Sequence, residues 1–326
     1  MPDLPPLLST SPGDLARAAE LLRAGEIVAV PTETVYGLAA DALNPTALAK
    51  VFAAKGRPLV DPLIVHLADI ADLPKVAEPD PRLARLARFW PGPLTVVLRR
   101  LPVVPDLVTA GRDSVAVRVP SHPAFRALLA ATGPLAAPSA NPFGYVSPTT
   151  ARHVRDSLGE RCPWIVDGGP CAHGVESTIL DLSEPSRARL LRPGPVPRED
   201  LEAALGAPLE VVTRSAPADE AQLAPGMLER HYSPRTPLRL FARGAAPVIP
   251  PAHAALLLQS RRASLPAGAE PFLLSESGDP AEAARALFAL LRQLDRRGYE
   301  VIVAELADES GIGVALNDRL RRAAAR

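Results

Sequence analysis

Four short segments gather residues that could do chemistry, and each lies beside an apolar run. The first is Pro31-Thr32-Glu33-Thr34-Val35-Tyr36-Gly37-Leu38, directly after EIVAV at 26–30. Two hydroxyls, a carboxylate and a phenol within six residues suit a polar ligand, and they equally suit a plain turn. The second is Lys55-Gly56-Arg57-Pro58, followed by Leu59-Val60-Asp61-Pro62-Leu63-Ile64-Val65-His66. Glycine lets the backbone approach a ligand, lysine supplies a point charge and arginine a planar fork, a combination suited to phosphate oxygens. The same residues would also serve as an ordinary basic helix C-terminus. His66 closes an apolar run, where a satisfied core histidine and a base are both open readings. The third segment runs from Pro138 through Ser139, Asn141, Gly144, Tyr145 and Ser147 to Thr149, with Arg118 on SVAVRVP upstream. The fourth joins Asp167-Gly168-Gly169 to Gly174-Val175-Glu176-Ser177-Thr178 and Arg192-Pro193-Gly194.

Several familiar devices are missing. There is no GxxxxGK[ST] loop, no GxGxxG after the first strand, no GxSxG elbow and no HExxH, and Gly311-Ile312-Gly313 is a lone GxG. The two cysteines, Cys162 and Cys171, have neither CxxC spacing nor a His-x3-His partner, so neither a zinc site nor a disulfide framework is expected. A bound nucleotide would therefore sit in an uncommon cradle of lysine, arginine and hydroxyls.

Lys+Arg 36 balance Asp+Glu 36 over 326 residues, a formal net charge of zero, which argues against a protein that lives on a phosphate backbone. A 47% hydrophobic content supports a sizeable core, and the length suggests about two domains. Lysine is scarce, with only Lys50, Lys55 and Lys75 among the cations, and proline is abundant at 38 residues; codon bias explains both most simply. The opening MPDLPPLLST has no basic n-region or apolar h-region, and no run reaches the ~18 apolar residues of a membrane helix. The cytoplasm is the expected compartment.

The elements that must position these segments alternate irregularly. Ser11-Pro12-Gly13-Asp14 to Gly25 reads as a capped helix, and strands follow at 26–30, 63–67, 94–99, 114–119, 177–182 and 187–192. Helical patterns lie near 46–54, 81–89, 123–131, 148–158 and 198–204, which favours a mixed α/β sheet. Periodicity vanishes from Thr213 to Pro237, a linker or functional loop. Beyond it come strands at 238–241, 254–259, 271–274 and 299–306. A helix starts at Asp279 (N-cap), with Pro280, Glu282 and the apolar Leu287, Leu290, Leu291 and Leu294, and a last helix ends the chain. The expected organisation is 1–212, a linker over 213–237, and a small parallel α/β domain over 238–326.

Taken in order, PTETVYGL, KGRP, PLIVH, PGPLTVVL, VAVRVP, PSAN and GVESTILDL resemble the YrdC family of threonylcarbamoyl-AMP synthases, from about Gly25 to Gly194. Pro225-Gly226-Met227, His231-Tyr232-Ser233-Pro234 and the closing GIGVALNDRL resemble the longer two-domain form. The resemblance implies a twisted mixed sheet with a positively charged concave surface, then a smaller Rossmann-like α/β domain. It implies that L-threonine, bicarbonate and ATP give L-threonylcarbamoyladenylate and pyrophosphate for tRNA modification. No protein nucleophile is needed, so positioning and charge neutralisation would dominate. By motif, Thr34, His66, Arg118, Ala137 and Ser177 would hold threonine. Lys55, Arg57, Asp61, Ser114, Ser139, Asn141, Ser147 and Arg192 would hold ATP, and Tyr232 would close over it. Lys55, Arg57 and Arg192 would share the triphosphate charge with Mg2+, Lys55 and Arg57 in the catalytic role. The product would pass to a tRNA threonylcarbamoyltransferase, with weak or no direct tRNA binding and no membrane contact. Position 61 is Asp where the family's KxRP-x-x-N-P pattern leads one to expect Asn, and its carboxylate would repel phosphate unless a cation intervenes. Two rival readings are a double-stranded RNA-binding module, which zero net charge weakens, and a carbamoyl-adenylate-handling carbamoyltransferase. The latter would need an acylphosphatase-like domain and cysteine-rich zinc fingers that this sequence lacks.

Overall fold

The computed structural model of the chain describes residues 7–162, 164–212, 217, 219–228, 231–250, 253–265 and 268–325. Of the linker expected over 213–237, residues 213–216, 218, 229 and 230 lie outside the described residues.

The elements of the first unit follow one another as α1 (Pro12–Arg23), β1 (Val28–Val30), β2 (Gly37–Asp41), α2 (Pro45–Lys55), β3 (Ile64–His66), α3 (Leu83–Leu86), β4 (Leu94–Arg99), α4 (Asp106–Thr109) and β5 (Ser114–Arg118). They continue as α5 (Pro123–Thr132), β6 (Leu135–Ala136), α6 (Ala151–Leu158), β7 (Thr178–Asp181), β8 (Arg189–Arg192), α7 (Arg198–Leu205) and β9 (Glu210–Val211). The strands form one mixed sheet in the order β1-β2-β6-β3-β5-β4-β7-β8-β9. β3 and β5 run parallel, as do β4 and β7, whereas β4 and β5 are antiparallel.

Strand alternation sorts the side chains to two faces. Val65, Val96, Leu98, Val115 and Val117 enter a large core with Leu48 and Phe52 of α2 and Leu201 and Leu205 of α7. Ile64, Val97, Ala116, Ile179 and Leu191 point the other way, where Ala224 and Met227 of the linker cover them. The first two helices begin as their sequences demand: the Ser11 hydroxyl accepts from the Asp14 N–H at 3.3 Å, and the Asn44 Oδ1 caps α2 at 3.0 Å.

The second unit is a four-stranded, wholly parallel sheet with strand order β10-β13-β11-β12, made of β10 (Leu238–Phe241), β11 (Ala254–Leu258), β12 (Ala269–Leu273) and β13 (Val301–Glu305). Helices α8 (Pro280–Asp295) and α9 (Ile312–Ala324) pack on it through Leu287, Phe288, Leu291, Leu316 and Leu320. Among the described residues no helix is long and apolar enough to cross a membrane.

Three strands escape the pattern reading. β2 is GLAAD, small residues with no β-branched run, and it forms because the turn after β1 folds it back so that Val30 faces Gly37. β6 and β9 have two residues each, too short for any periodicity.

Candidate functional site

On the linker-covered face of the sheet lies a cavity of about 50 Å3, over the ends of β3, β5, β7 and β8. Nine residues singled out from the sequence line it: Thr34, Arg57, His66, Arg118, Ala137, Ser139, Ser177, Arg192 and Tyr232. Alternation along β3 and β5 puts His66 beside Ile64 and Arg118 beside Ala116 on this face. Arg192 needs more. Leu190 faces the core and Leu191 the linker, so strict alternation would return Arg192 to the core. The register of β7 and β8 slips between Ile179 and Leu180, and this bulge turns Arg192 toward the cavity.

The loop between β1 and β2 is shaped by Thr32, whose hydroxyl donates to the Val35 carbonyl at 2.6 Å and accepts from the Thr34 N–H at 3.0 Å. That turn presents the Thr34 hydroxyl to Arg118 Nη1 at 3.0 Å. Arg118 also donates to the Gly92 carbonyl at 3.2 Å and pairs with the buried Glu33 carboxylate at 2.7 Å. Burial alone would raise the Glu33 pKa, but Arg118 more than reverses it and holds the group below the ordinary carboxylate range. His66, 5.1 Å from the Phe125 ring, is pushed down to about 3 by burial and then by Arg118, so its imidazole is neutral at physiological pH.

Arg57 donates to the Asp61 and Pro62 carbonyls at 2.9 and 2.6 Å, and its Nη2 lies 2.9 Å from the Asp61 carboxylate. The cation beside Asp61 is thus Arg57 itself. Burial raises the Asp61 pKa and Arg57 works against that rise. Arg192 donates to the Ser177 carbonyl at 3.1 Å, the Ser177 hydroxyl at 3.2 Å and the linker carbonyl of Pro225 at 3.0 Å. Of the three lining arginines, Arg192 is the one without a carboxylate ion pair among the described residues, whereas Arg57 pairs with Asp61 and Arg118 with Glu33.

Five of the sequence candidates do not line the cavity. Lys55 is buried behind the wall, where its ammonium holds the carbonyls of Ser139 and Asn141; burial and then Arg57 lower its pKa well below the ordinary value. Asp61 is fully buried against Arg57. Asn141 uses its amide on the carbonyls of Pro142 and Tyr145 at 2.8 and 2.9 Å. The Ser147 hydroxyl donates to Glu176 at 2.5 Å. Ser114 opens β5 at the end opposite Arg118, about 13 Å away along the strand, in a separate cleft with Arg99, Arg112, Arg189 and the linker residue Leu223.

Sequence reasoning passed over Glu33, Glu176, His231 and Arg319, all of which lie inside the quoted motifs; Arg319 enters from α9. Glu33 had one legible signal, a carboxylate between two threonines directly after a buried strand. Among the described residues the Tyr232 hydroxyl and His231 Nδ1 are buried without a hydrogen-bond partner, and Tyr232 holds a left-handed backbone at φ 61°. Cys162 and Cys171 are buried, with thiols pushed up to about 12 by burial, and no cluster of three His, Cys, Asp or Glu occurs among the described residues.

The chain matches two family profiles: Sua5_yciO_yrdC, described as telomere recombination, over residues 20–194, and Sua5_C, described as threonylcarbamoyl-AMP synthase, C-terminal domain, over 196–325. The threonylcarbamoyl-AMP synthase of Bacillus subtilis is 40% identical over 97% of this chain and 94% of its own length. The crystal structure of Pyrococcus abyssi Sua5 complexed with L-threonine superposes with a TM-score of 0.85 at 37% identity, over 96% of this chain and 94% of that one. A variant of the same archaeal protein, with a consecutive His and Tyr both replaced by Ala, superposes at 0.87 with 36% identity, over 98% and 96%.

Proposed function

The chain belongs to the Sua5/YrdC family in its two-domain form, and on that premise we propose how its residues carry out the family reaction. It catalyses threonylcarbamoyl-AMP synthesis, with ATP as a substrate. In the reaction we assign, the threonine amine captures CO2 or bicarbonate as a carbamate, a carbamate oxygen attacks the α-phosphorus of ATP, and pyrophosphate leaves. The observation that carries this reading is the fork of Arg118 with Thr34, facing Arg57 and Arg192 across one cavity.

Arg118 and Thr34 bind the threonine carboxylate, with Ala137, Ser177 and the neutral His66 around the side chain and amine. A neutral imidazole beside the amine can accept the proton that the amine must lose to become a carbamate. Arg192 and Arg57 take the phosphates, and Lys55 acts from behind, fixing the Ser139 loop in which Asn141 also sits. Asp61 keeps the Arg57 fork in place. A cavity of about 50 Å3 is far below the roughly 300 Å3 of a small-molecule pocket, so the linker must lift to admit ATP. Ser114, Ala116 and Arg118 share one face of β5, and Ala224 and Met227 lie over it. Lifting the linker would join the Ser114 cleft to the cavity in one groove for ATP, after which Tyr232 and His231 close over the nucleotide. The consecutive His and Tyr altered in the archaeal protein have one counterpart here, His231-Tyr232.

The carboxylates at the site face arginines: Glu33 with Arg118, Asp61 with Arg57, and Glu176 with Arg319. Among the described residues no acidic cage is left for a resident cation, so Mg2+ would enter on the triphosphate as part of the substrate. We place the reaction in the cytoplasm, assign residues 1–212 to catalysis, 213–237 to the linker and 238–326 to the second unit, and have the product pass to a separate tRNA threonylcarbamoyltransferase. Zero net charge supports weak direct tRNA binding.

Pyrophosphate release, measured with threonine and bicarbonate omitted in turn, tests the reaction. Release should require both; release from ATP alone would refute the assignment.

A further inference from the structure

We propose that Arg319 of α9 is a positioning residue for the nucleoside end of ATP, acting through Glu176 on the Ser147 hydroxyl. The inference rests on the reaction proposed above and on the expectation, carried from the sequence motifs, that Ser147 holds ATP.

Arg319 has no exposed surface, although it belongs to the second unit. Its Nε donates to Glu176 Oε2 at 2.9 Å and its Nη2 to the Glu176 carbonyl at 3.3 Å. Nη1 reaches the Pro193 carbonyl and Asp318, each at 2.8 Å. The fork is thus fixed on four sides, and the Glu176 side chain is fixed with it. The other oxygen of that carboxylate, Oε1, accepts the Ser147 proton at 2.5 Å. Arg292 of α8 completes the hold, donating to the Ser147 carbonyl at 3.2 Å and to the Val146 carbonyl. Both ends of Ser147 are therefore set by arginines of the second unit, one of them through Glu176.

This geometry decides what Ser147 can do. A paired carboxylate only accepts, so it holds the one hydroxyl proton of Ser147, and the lone pairs alone remain for a ligand. Phosphate oxygens, which also only accept, gain nothing there. Ser147 accepts from an O–H or N–H, and ATP carries such donors on its ribose and its adenine amine, not on its phosphates. Losing the Arg319 fork would leave Glu176 buried without its counter-charge and free to turn. The acceptor character of Ser147 would go with it.

The test uses the full-length protein carrying Arg319→Met or Arg319→Lys. Arg319→Met should raise the KM for ATP about tenfold, with the KM for threonine and inhibition by pyrophosphate within about twofold of the unaltered protein. Arg319→Lys keeps the charge without the fork and should fall between; it also serves if the methionine variant fails to fold. Adding Arg319→Met to Ser147→Ala should cost at most about twofold in further ATP affinity, the share left to the Arg319 guanidinium over the Tyr232 ring at 5.3 Å, because the two substitutions otherwise act through one hydroxyl. ATP, threonine and pyrophosphate constants moving together, or additive losses in the double variant, would overturn the proposal. If the unaltered protein releases no pyrophosphate, the reaction fails instead, and ATP affinity by calorimetry still reads the coupling.

Discussion

At the scale of single residues, the site works by giving each buried charge a defined partner before any ligand arrives. Arg118 is held by Glu33, Gly92 and Thr34 on its three nitrogens, so its fork is set in the cavity wall at a fixed angle. His66 is the counter-example, a titratable group kept neutral. Its folded pKa of about 3 lies below the ordinary 6.5, so the native state refuses a proton that the unfolded chain accepts. Stability is full above about pH 6.5 and falls as the pH drops toward 3, by at most about 1.4 kcal/mol per pH unit for this group. Urea midpoints at pH 7.5, 6 and 5 should decline along that slope, and His66→Gln should flatten it; an equal slope in the variant would remove His66 as the cause. Most of these residues were legible because polar groups beside short buried strands stand out from their neighbours. Arg319 was not. Its partner Glu176 is 143 positions away, and no local pattern encodes a pairing made by docking two units.

At the scale of elements, the strand alternation that predicts the sheet also predicts which side chains share its open face, and it does so correctly for β3 and β5. It fails at β8, where the bulge beside Leu191 reverses Arg192, because a one-residue register slip leaves no trace in composition. The linker shows a second limit. Its sequence reads as structureless, yet it packs Ala224 and Met227 on the sheet. Gly226 permits this close approach: its φ is 75°, and a Cβ added there would lie only 2.7 Å from the Tyr232 hydroxyl and 3.0 Å from Arg192 Nη1. Gly226→Ala should therefore push Tyr232 off the cavity. Turnover should fall about tenfold while the thermal midpoint shifts by only a few degrees. Unchanged turnover would separate the linker from the reaction.

At the scale of the whole molecule, the two sheets are joined by the chemistry of the site. Gly174, on the loop before β7, meets the backbone of α8: a Cβ there would lie 2.4 Å from Arg285 Cα, at φ 73°. Backbone cannot yield as a flexible side chain can, so Gly174→Ala should cost about 2 kcal/mol or more, read as a lower urea midpoint. A variant as stable as the parent would show that the contact tolerates separation. The same joint bears on how the chain comes apart. Arg292 lies buried on α8 with its fork on carbonyls of Val146, Ser147 and His153, all in the other unit. If the second unit melted first, those carbonyls and the Glu176 carboxylate would lose their donors together, and neither unit could keep its native face alone. Heat should therefore unfold the chain in one cooperative step, with a calorimetric enthalpy matching the van't Hoff value, as though a single core ran through both sheets.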